Sequence, residues 1–269
     1  MKKTVYLAIL GVVTAICVIV GLIVHGYDMY SFQSKRIVEE NANVSEENAQ
    51  NLEAFQRMDV DVKVMDLTIR SGNAYGVSVK SVEKLMPEIT VSNGTLAIRQ
   101  SNVPKSYHKD SRNCKVILTI PSGEVLESAE LSNSVGDIQW NEISCDTLKG
   151  AFNVGDFELN RSKIPNLDVS VDVGEISIEN CELDTAVCES NVGDVDIERC
   201  VFHSMEISDN TGDVEVHSSV DLSGYQMELS TNVGEVEVND RYYKKSYNQN
   251  GANGKLTLET NVGDVDVDY

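Results

Sequence analysis

Val135-Gly136-Asp137-Ile138, Val154-Gly155-Asp156-Phe157, Val173-Gly174-Glu175-Ile176, Val192-Gly193-Asp194-Val195, Thr211-Gly212-Asp213-Val214, Val233-Gly234-Glu235-Val236 and Val262-Gly263-Asp264-Val265 decide how this chain folds. The first five glycines are spaced by 19 residues, and steps of 22 and 29 follow. A fixed period near ~20 residues is the signature of stacked structural repeats, one supersecondary unit per period. Two and four residues after each glycine stand apolar residues, from Ile138 and Trp140 to Val265 and Val267. Acidic or polar residues separate them, as Glu158, Asp196, Glu215 and Asp266 do. This is the period of two that marks a half-buried strand. A second apolar pair lies seven and five residues before the glycine, for example Leu167 and Val169, or Met205 and Ile207. The glycine therefore marks a bend between two strands, where φ is positive or backbones approach closely.

Two strands and two corners per repeat predict one coil of a parallel β-solenoid with about 19-residue coils. A lone coil buries nothing. Stacked at ~4.8 Å, seven coils form a section roughly 30–35 Å long with a continuous apolar core. A many-stranded antiparallel sandwich is the alternative, but it has no need of a constant step. Stacking also predicts ladders at each corner. Ser134, Asn153, Asp172, Asn191, Asn210, Asn232 and Asn261 stand two residues before the glycines. Stacked Asn side chains bond to one another along such a column. Asp137, Asp156, Glu175, Asp194, Asp213, Glu235 and Asp264 follow the glycines, and like charges so placed repel unless solvated or bridged by cations.

The 269 residues carry a net charge of −21 and a hydrophobic share of 41%. That share supports a real core, and the acidic balance argues against nucleic acid and anionic lipid headgroups as partners of the body. Residues 4–24 hold no charged side chain and are long enough to cross a bilayer as a helix. Lys2 and Lys3 precede them, which places the N-terminus in the cytoplasm and the rest of the chain outside. The expectation is a single-pass cell-membrane protein: residues 1–25 as cytoplasmic tip and transmembrane anchor, and 26–57 as a polar juxtamembrane spacer. A cleaved signal peptide is the competing reading, set against a long apolar run without a clear small-x-small site.

Residues 58–125 read as irregular β structure that caps the solenoid, and residues 126–269 as the regular repeats. Met58-Asp59-Val60-Asp61-Val62 alternates, Ser71-Gly72-Asn73 and Asn93-Gly94 are turn signals, and Val116-Ile117-Leu118-Thr119-Ile120 is a buried-strand candidate. With Asp66-Leu67-Thr68-Ile69-Arg70, Tyr75-Gly76-Val77-Ser78-Val79 and the recurrent Val-Gly-Asp-Ile, these runs resemble the bacterial DUF4097 family of adhesin-like β-repeat proteins. The resemblance spans about 58 to 269. It implies an envelope β-solenoid, often behind a membrane anchor and sometimes encoded with envelope-stress systems. It carries over no catalytic residue.

No cofactor is expected. The acidic row after the glycines suits a hard cation such as Ca²⁺ in its donor type, but it lacks the glycine density of nonapeptide calcium solenoids. Solvated corner charges that keep the stack soluble are the other reading, and no metal site is assigned. Cys114, Cys145, Cys181, Cys188 and Cys200 include no Cys-x-x-Cys pair, and small core fillers are expected. Cys181 and Cys200, 19 apart, are expected at matching positions of adjacent coils. Nothing marks a hydrolytic triad among His25, His108, His203 and His217, so no enzyme is expected, with a wall-polysaccharide-acting β-helix enzyme and a cation-binding structural module as alternatives.

The basic, aromatic insert Arg241-Tyr242-Tyr243-Lys244-Lys245-Ser246-Tyr247 contrasts with the acidic body. Arg241, Tyr242, Tyr243, Lys244, Lys245 and Tyr247 are candidate contacts for an envelope protein or wall polymer, against a plain solvated loop between coils. The last repeat, ending Asp266-Val267-Asp268-Tyr269, reads as an open parallel edge without a cap.

Overall fold

The computed structural model describes residues 48–101, 103–104 and 114–269. The expected membrane span at 4–24 and nearly all of the spacer lie outside the described residues. Among the described residues, no helix is long and apolar enough to cross a membrane.

The described chain is all-β apart from a single 3-10 turn, Glu83–Leu85. Its strands in order are β1 Asn48–Asn51, β2 Arg57–Val62, β3 Asp66–Gly72, β4 Gly76–Ser81, β5 Glu88–Ser92, β6 Thr95–Arg99, β7 Cys114–Pro121, β8 Val125–Leu126, β9 Ser128–Asn133 and β10 Ile138–Asn141. There follow β11 Ser144–Cys145, β12 Thr147–Val154, β13 Phe157–Asn160, β14 Lys163–Val173, β15 Ile176–Glu179, β16 Glu182–Val192, β17 Val195–Glu198, β18 Ser204–Thr211 and β19 Val214–His217. The last six are β20 Gln226–Val233, β21 Val236–Val238, β22 Tyr242–Tyr243, β23 Ser246–Gln249, β24 Lys255–Val262 and β25 Val265–Asp268.

Each repeat gives one long strand before its glycine and one short strand after it. The long strands line one sheet and the short strands the other, parallel and in register. Ile138 faces Phe157, Phe157 faces Ile176, and Ile176 faces Val195, all fully buried. The expected column of stacked apolar residues is therefore present. The opposite wall of the core is Ala129, Leu148, Leu167, Ala186 and Met205, again in register and buried.

Glycine is required at the first corner. Gly155, Gly174 and Gly193 have φ of 136°, 145° and 143°. A Cβ on Gly174 would fall onto the carbonyl group of Gly155, and one on Gly193 onto that of Gly174. The second corner, after the short strand, uses ordinary residues at positive φ: Glu142, Arg161, Asn180 and Arg199, at 48–59°. This conformation costs a non-glycine residue roughly 1 kcal/mol. Only Asn180 advertises it in the sequence.

Two features depart from the sequence reading. Among the described residues the stack has nine coils, not seven. At ~4.8 Å per coil that is about 40 Å. Residues 58–125, expected as a cap, supply two coils: β2–β3, which pairs with β9–β10, and β6–β7 beyond it. The corner of β2–β3 carries Met65 where the repeats carry glycine, so the period was hidden. Among the described residues, only β1, β4 and β5 are antiparallel covers there.

The second departure is the order of the last repeats. β24–β25 lies directly on β18–β19, and β20–β21 lies on β24–β25. The last repeat is thus an interior coil, not the open edge expected of it. The exposed end belongs to β20–β21, which β23 and β22 cover antiparallel.

Candidate interaction surface

The corner acids take their places from the stacking. The Asp137 carboxylate accepts the backbone N–H of Asp156 at 3.1 Å, and Asp156 accepts that of Glu175 at 2.9 Å. Asp194 accepts from Asp213 at 2.9 Å, Asp213 from Asp264 at 2.7 Å, and Asp264 from Glu235 at 2.7 Å. Each short carboxylate caps an amide of the next coil, which aspartate reaches and which offsets part of the like-charge repulsion. Glu235 sits on the outermost coil, with no following repeat amide to accept. Asp66 extends the row downward, its Oδ1 3.4 Å from the Asp137 amide and its Oδ2 3.7 Å from Lys115 Nζ at the foot. The row is built as a backbone device. Among the described residues, no group of three or more His, Cys, Asp or Glu side chains is arranged to hold a metal ion.

The asparagine ladder follows the spatial order of coils. Asn191 Nδ2 donates to Asp172 at 2.9 Å, Asn261 Nδ2 to Asn210 at 2.6 Å, and Asn232 Nδ2 to Asn261 at 2.6 Å.

A second column on the outer face of the short-strand sheet runs Glu158, Ser177, Asp196, Glu215, Asp266 and Glu237, acidic at every place but Ser177. Partial burial, then Glu175 and Glu215, push Asp196 up to about 6. Partial burial, then Asp268 and Glu237, raise Asp266 as well. A groove of about 310 Å³ on this face is lined by Asp156, Glu158, Glu175 and Glu179 with no basic side chain among its walls.

The five described cysteines are buried and unbonded. The Cys181 amide donates to Cys200 Sγ at 3.4 Å, so the pair does occupy matching positions on adjacent coils. Burial pushes the Cys114 and Cys145 thiols up to about 11 and Cys188 up to about 12, which leaves them unreactive as nucleophiles.

The basic, aromatic insert forms the cover on β20–β21. Val238 and Arg241 exchange backbone bonds at 2.9 and 3.2 Å around Asn239 and Asp240, both at positive φ, as a two-residue hairpin requires. The six candidate contacts then separate. Lys245 Nζ donates to the Gly234 carbonyl at 2.7 Å, which has no coil above it. Tyr243 and Tyr247 pack ring to ring at 4.6 Å and are half-buried. Those three close the end of the stack. Arg241, Tyr242 and Lys244 face outward, and Tyr242 is 72% exposed. A hydrogen bond to Glu237, followed by its charge, raises the Tyr242 phenol pKa.

Gln249 went unread in the sequence. Its Nε2 donates to the carbonyls of Leu222 and Tyr225 at 2.9 Å and of Ser223 at 3.2 Å, which ties the cover to the linker before β20. A lone glutamine in a polar stretch gives no signal for this.

Solved structures are similar to the chain at low identity. The chain is similar to an adhesin candidate from Parabacteroides distasonis, with 13% identity and a TM-score of 0.48 over 84% of this chain and 98% of that one. It is also similar to an adhesin candidate from Bacteroides fragilis, with 12% identity and a TM-score of 0.43 over 82% and 96%. A cell-adhesion candidate from Clostridium sporogenes gives 14% identity and a TM-score of 0.41 over 83% and 98%. No curated protein matches the chain in sequence. The family model described as Toastrack DUF4097 matches residues 55–269, the whole of the coil stack and every cover strand except β1, and the chain belongs to that family.

Proposed function

We propose that this Toastrack protein is a membrane-anchored, extracytoplasmic interaction scaffold, and that the cover on β20–β21 carries its contact surface. The observation behind this reading is the outward trio Arg241, Tyr242 and Lys244 on an otherwise acidic body. Exposed aromatic and basic groups are what partner contacts favour. Lys245, Tyr243, Tyr247 and Gln249 hold the cover to the stack, whereas Arg241 and Lys244 are exposed and Tyr242, bonded to Glu237, still leaves most of its surface open. The chain enters the stack at β1, and the cover lies at the other edge of the same sheet. Residues 4–24 supply the anchor in this reading, with the N-terminus cytoplasmic, and the partner is an envelope protein or wall polymer. The adhesin-like character of the family and its association with envelope-stress systems agree with such a task, and the reading involves no catalysis and no nucleic acid.

The test is the full chain with Arg241, Tyr242 and Lys244 all changed to Ser. Co-sedimentation with an insoluble wall preparation, and photo-crosslinking from position 242 in intact envelopes, are expected to fall at least tenfold with an unchanged circular dichroism spectrum. Binding that persists rejects the contact surface. Full-length protein that fractionates as soluble, or whose stack resists labelling from outside the cell, rejects the anchor.

A further inference from the structure

The two repeats that are out of order are also near-copies. Leu229-Ser230-Thr231-Asn232-Val233-Gly234-Glu235-Val236-Glu237-Val238 and Leu258-Glu259-Thr260-Asn261-Val262-Gly263-Asp264-Val265-Asp266-Val267 share Leu, Thr, Asn, Val, Gly, Val and Val at matched positions. Both sides of the intervening coil hold one register. Met205 faces Leu256, which faces Met227; Ile207 faces Leu258, which faces Leu229; Val214 faces Val265, which faces Val236. The polar contacts repeat too. Thr260 Oγ1 donates to Gly212 O at 3.2 Å and Thr231 Oγ1 to Gly263 O at 2.7 Å. Thr260 also donates to Asp209 Oδ2 at 3.0 Å, and Asp209 is only 3% exposed. A coil of the same pattern therefore satisfies either wall.

The connection into this coil is unburied, although the coil itself is paired on both sides. Residues 250–254, Asn-Gly-Ala-Asn-Gly, lead into β24, and none is buried. The amides of Ala252 and Asn253 hold them to Gly224 O at 3.0 and 3.1 Å. The cover that closes this end, residues 239–249, contains no buried residue. The neighbouring linker is longer than in the regular repeats, which is the 22-residue step, and it carries β20 across the intervening coil.

We infer that the gap between β18–β19 and β20–β21 is a strand-exchange site, and that its second occupant is residues 255–268 of another copy of this chain. Each wall asks for a parallel strand pair with Leu or Met and Leu inward before the glycine, Val and Val inward after it, and Thr and Asn at the corner. Another copy carries that pattern at the right pitch. Reciprocal exchange keeps the strand pairing and the buried faces of β24 and β25 and gives up only the bonds of residues 250–254 to Gly224 and Gln226, which is the low-cost route to a dimer.

The test uses the full chain. Two preparations with different affinity tags are mixed, taken through partial unfolding in denaturant and returned to buffer. A tandem-captured pair is expected, with a yield that rises with concentration and with β24 amides as protected from hydrogen exchange as in the single chain. Deleting Ala252 and Asn253 shortens the connection and is expected to give a species of twice the monomer mass. If that variant does not fold, the tag experiment alone decides. Separate monomers at every concentration overturn the inference, and so does a pair whose β24 amides are unprotected. A monomer with 255–268 unprotected and 226–238 protected also overturns it, because the two walls then close on each other.

Discussion

The two ends of the stack share a topology and differ in substance. At each end the outermost coil is second in sequence from that end: β6–β7 lies outside β2–β3, and β20–β21 outside β24–β25. Each outer coil meets an antiparallel strand across a two-residue turn at positive φ, Asn93-Gly94 at one end and Asn239-Asp240 at the other. The covers are otherwise unlike. At the β6–β7 end, Val77, Val79, Val82 and Leu85 are buried. Gln100 is also buried there: its Oε1 accepts the amides of Lys63 and Val64 at 3.0 and 2.9 Å, and its Nε2 donates to Val64 O and Leu85 O at 3.0 and 2.6 Å. At the β20–β21 end no residue from 239 to 254 is buried. Pairing satisfies the backbone at both ends, but apolar burial, the larger stabilising term, is added at only one.

The interior sets the scale for that contrast. Gly174→Ala forces a Cβ into the Gly155 carbonyl at a φ open only to glycine, and should cost about 4 kcal/mol or more in denaturant unfolding. Gln100→Ala should cost about 3 kcal/mol, because several buried backbone groups lose their partner. Gln249→Ala, which makes comparable bonds in a half-exposed setting, should cost about 1 kcal/mol. Equal losses at the two ends would break the comparison. Asp264→Ala removes the acceptor of the Glu235 amide and should cost about 1 kcal/mol, while Glu235→Ala, on the outermost coil, should cost close to nothing.

The smallest effect is one of pH. Asp196 sits at about 6 in the folded chain, against an ordinary carboxylate near ~4 when unfolded. Between those values the folded state holds a proton that the unfolded chain has released, so stability falls as pH rises from about 4 to 6 and stays lower at pH 7. Asp196→Asn should raise the melting temperature at pH 7 and flatten the slope across that window.

Much of this was legible because stacking demands regularity. The 19-residue glycine step, the alternating apolar pairs and the Asn and Asp columns each follow from one coil lying on another. What was hidden lies where that logic relaxes. Met65 at a glycine corner concealed the β2–β3 coil. Arg161 and Arg199 at positive φ gave no sign of a second corner. The order of the last two repeats was unreadable from their faces, because both fit the same neighbour. The step of 22 residues was the available clue, since a direct neighbour needs no extra linker. In the basic insert, composition pointed to the right segment but could not divide it, because Lys245 is engaged by a carbonyl from another part of the stack.

The placement of β2–β3 has a consequence for how such an object comes into being. Residues 57–72 are the earliest coil delivered during synthesis, yet they end up with a neighbour above and a neighbour below. Both of its partners come later in the chain, β6–β7 first and β9–β10 after it. Until Asn141 has left the ribosome, one flank of that coil has nothing to lie against. The apolar face of that coil on this flank, which the finished molecule conceals, is one the growing chain leaves uncovered for about seventy residues after Gly72.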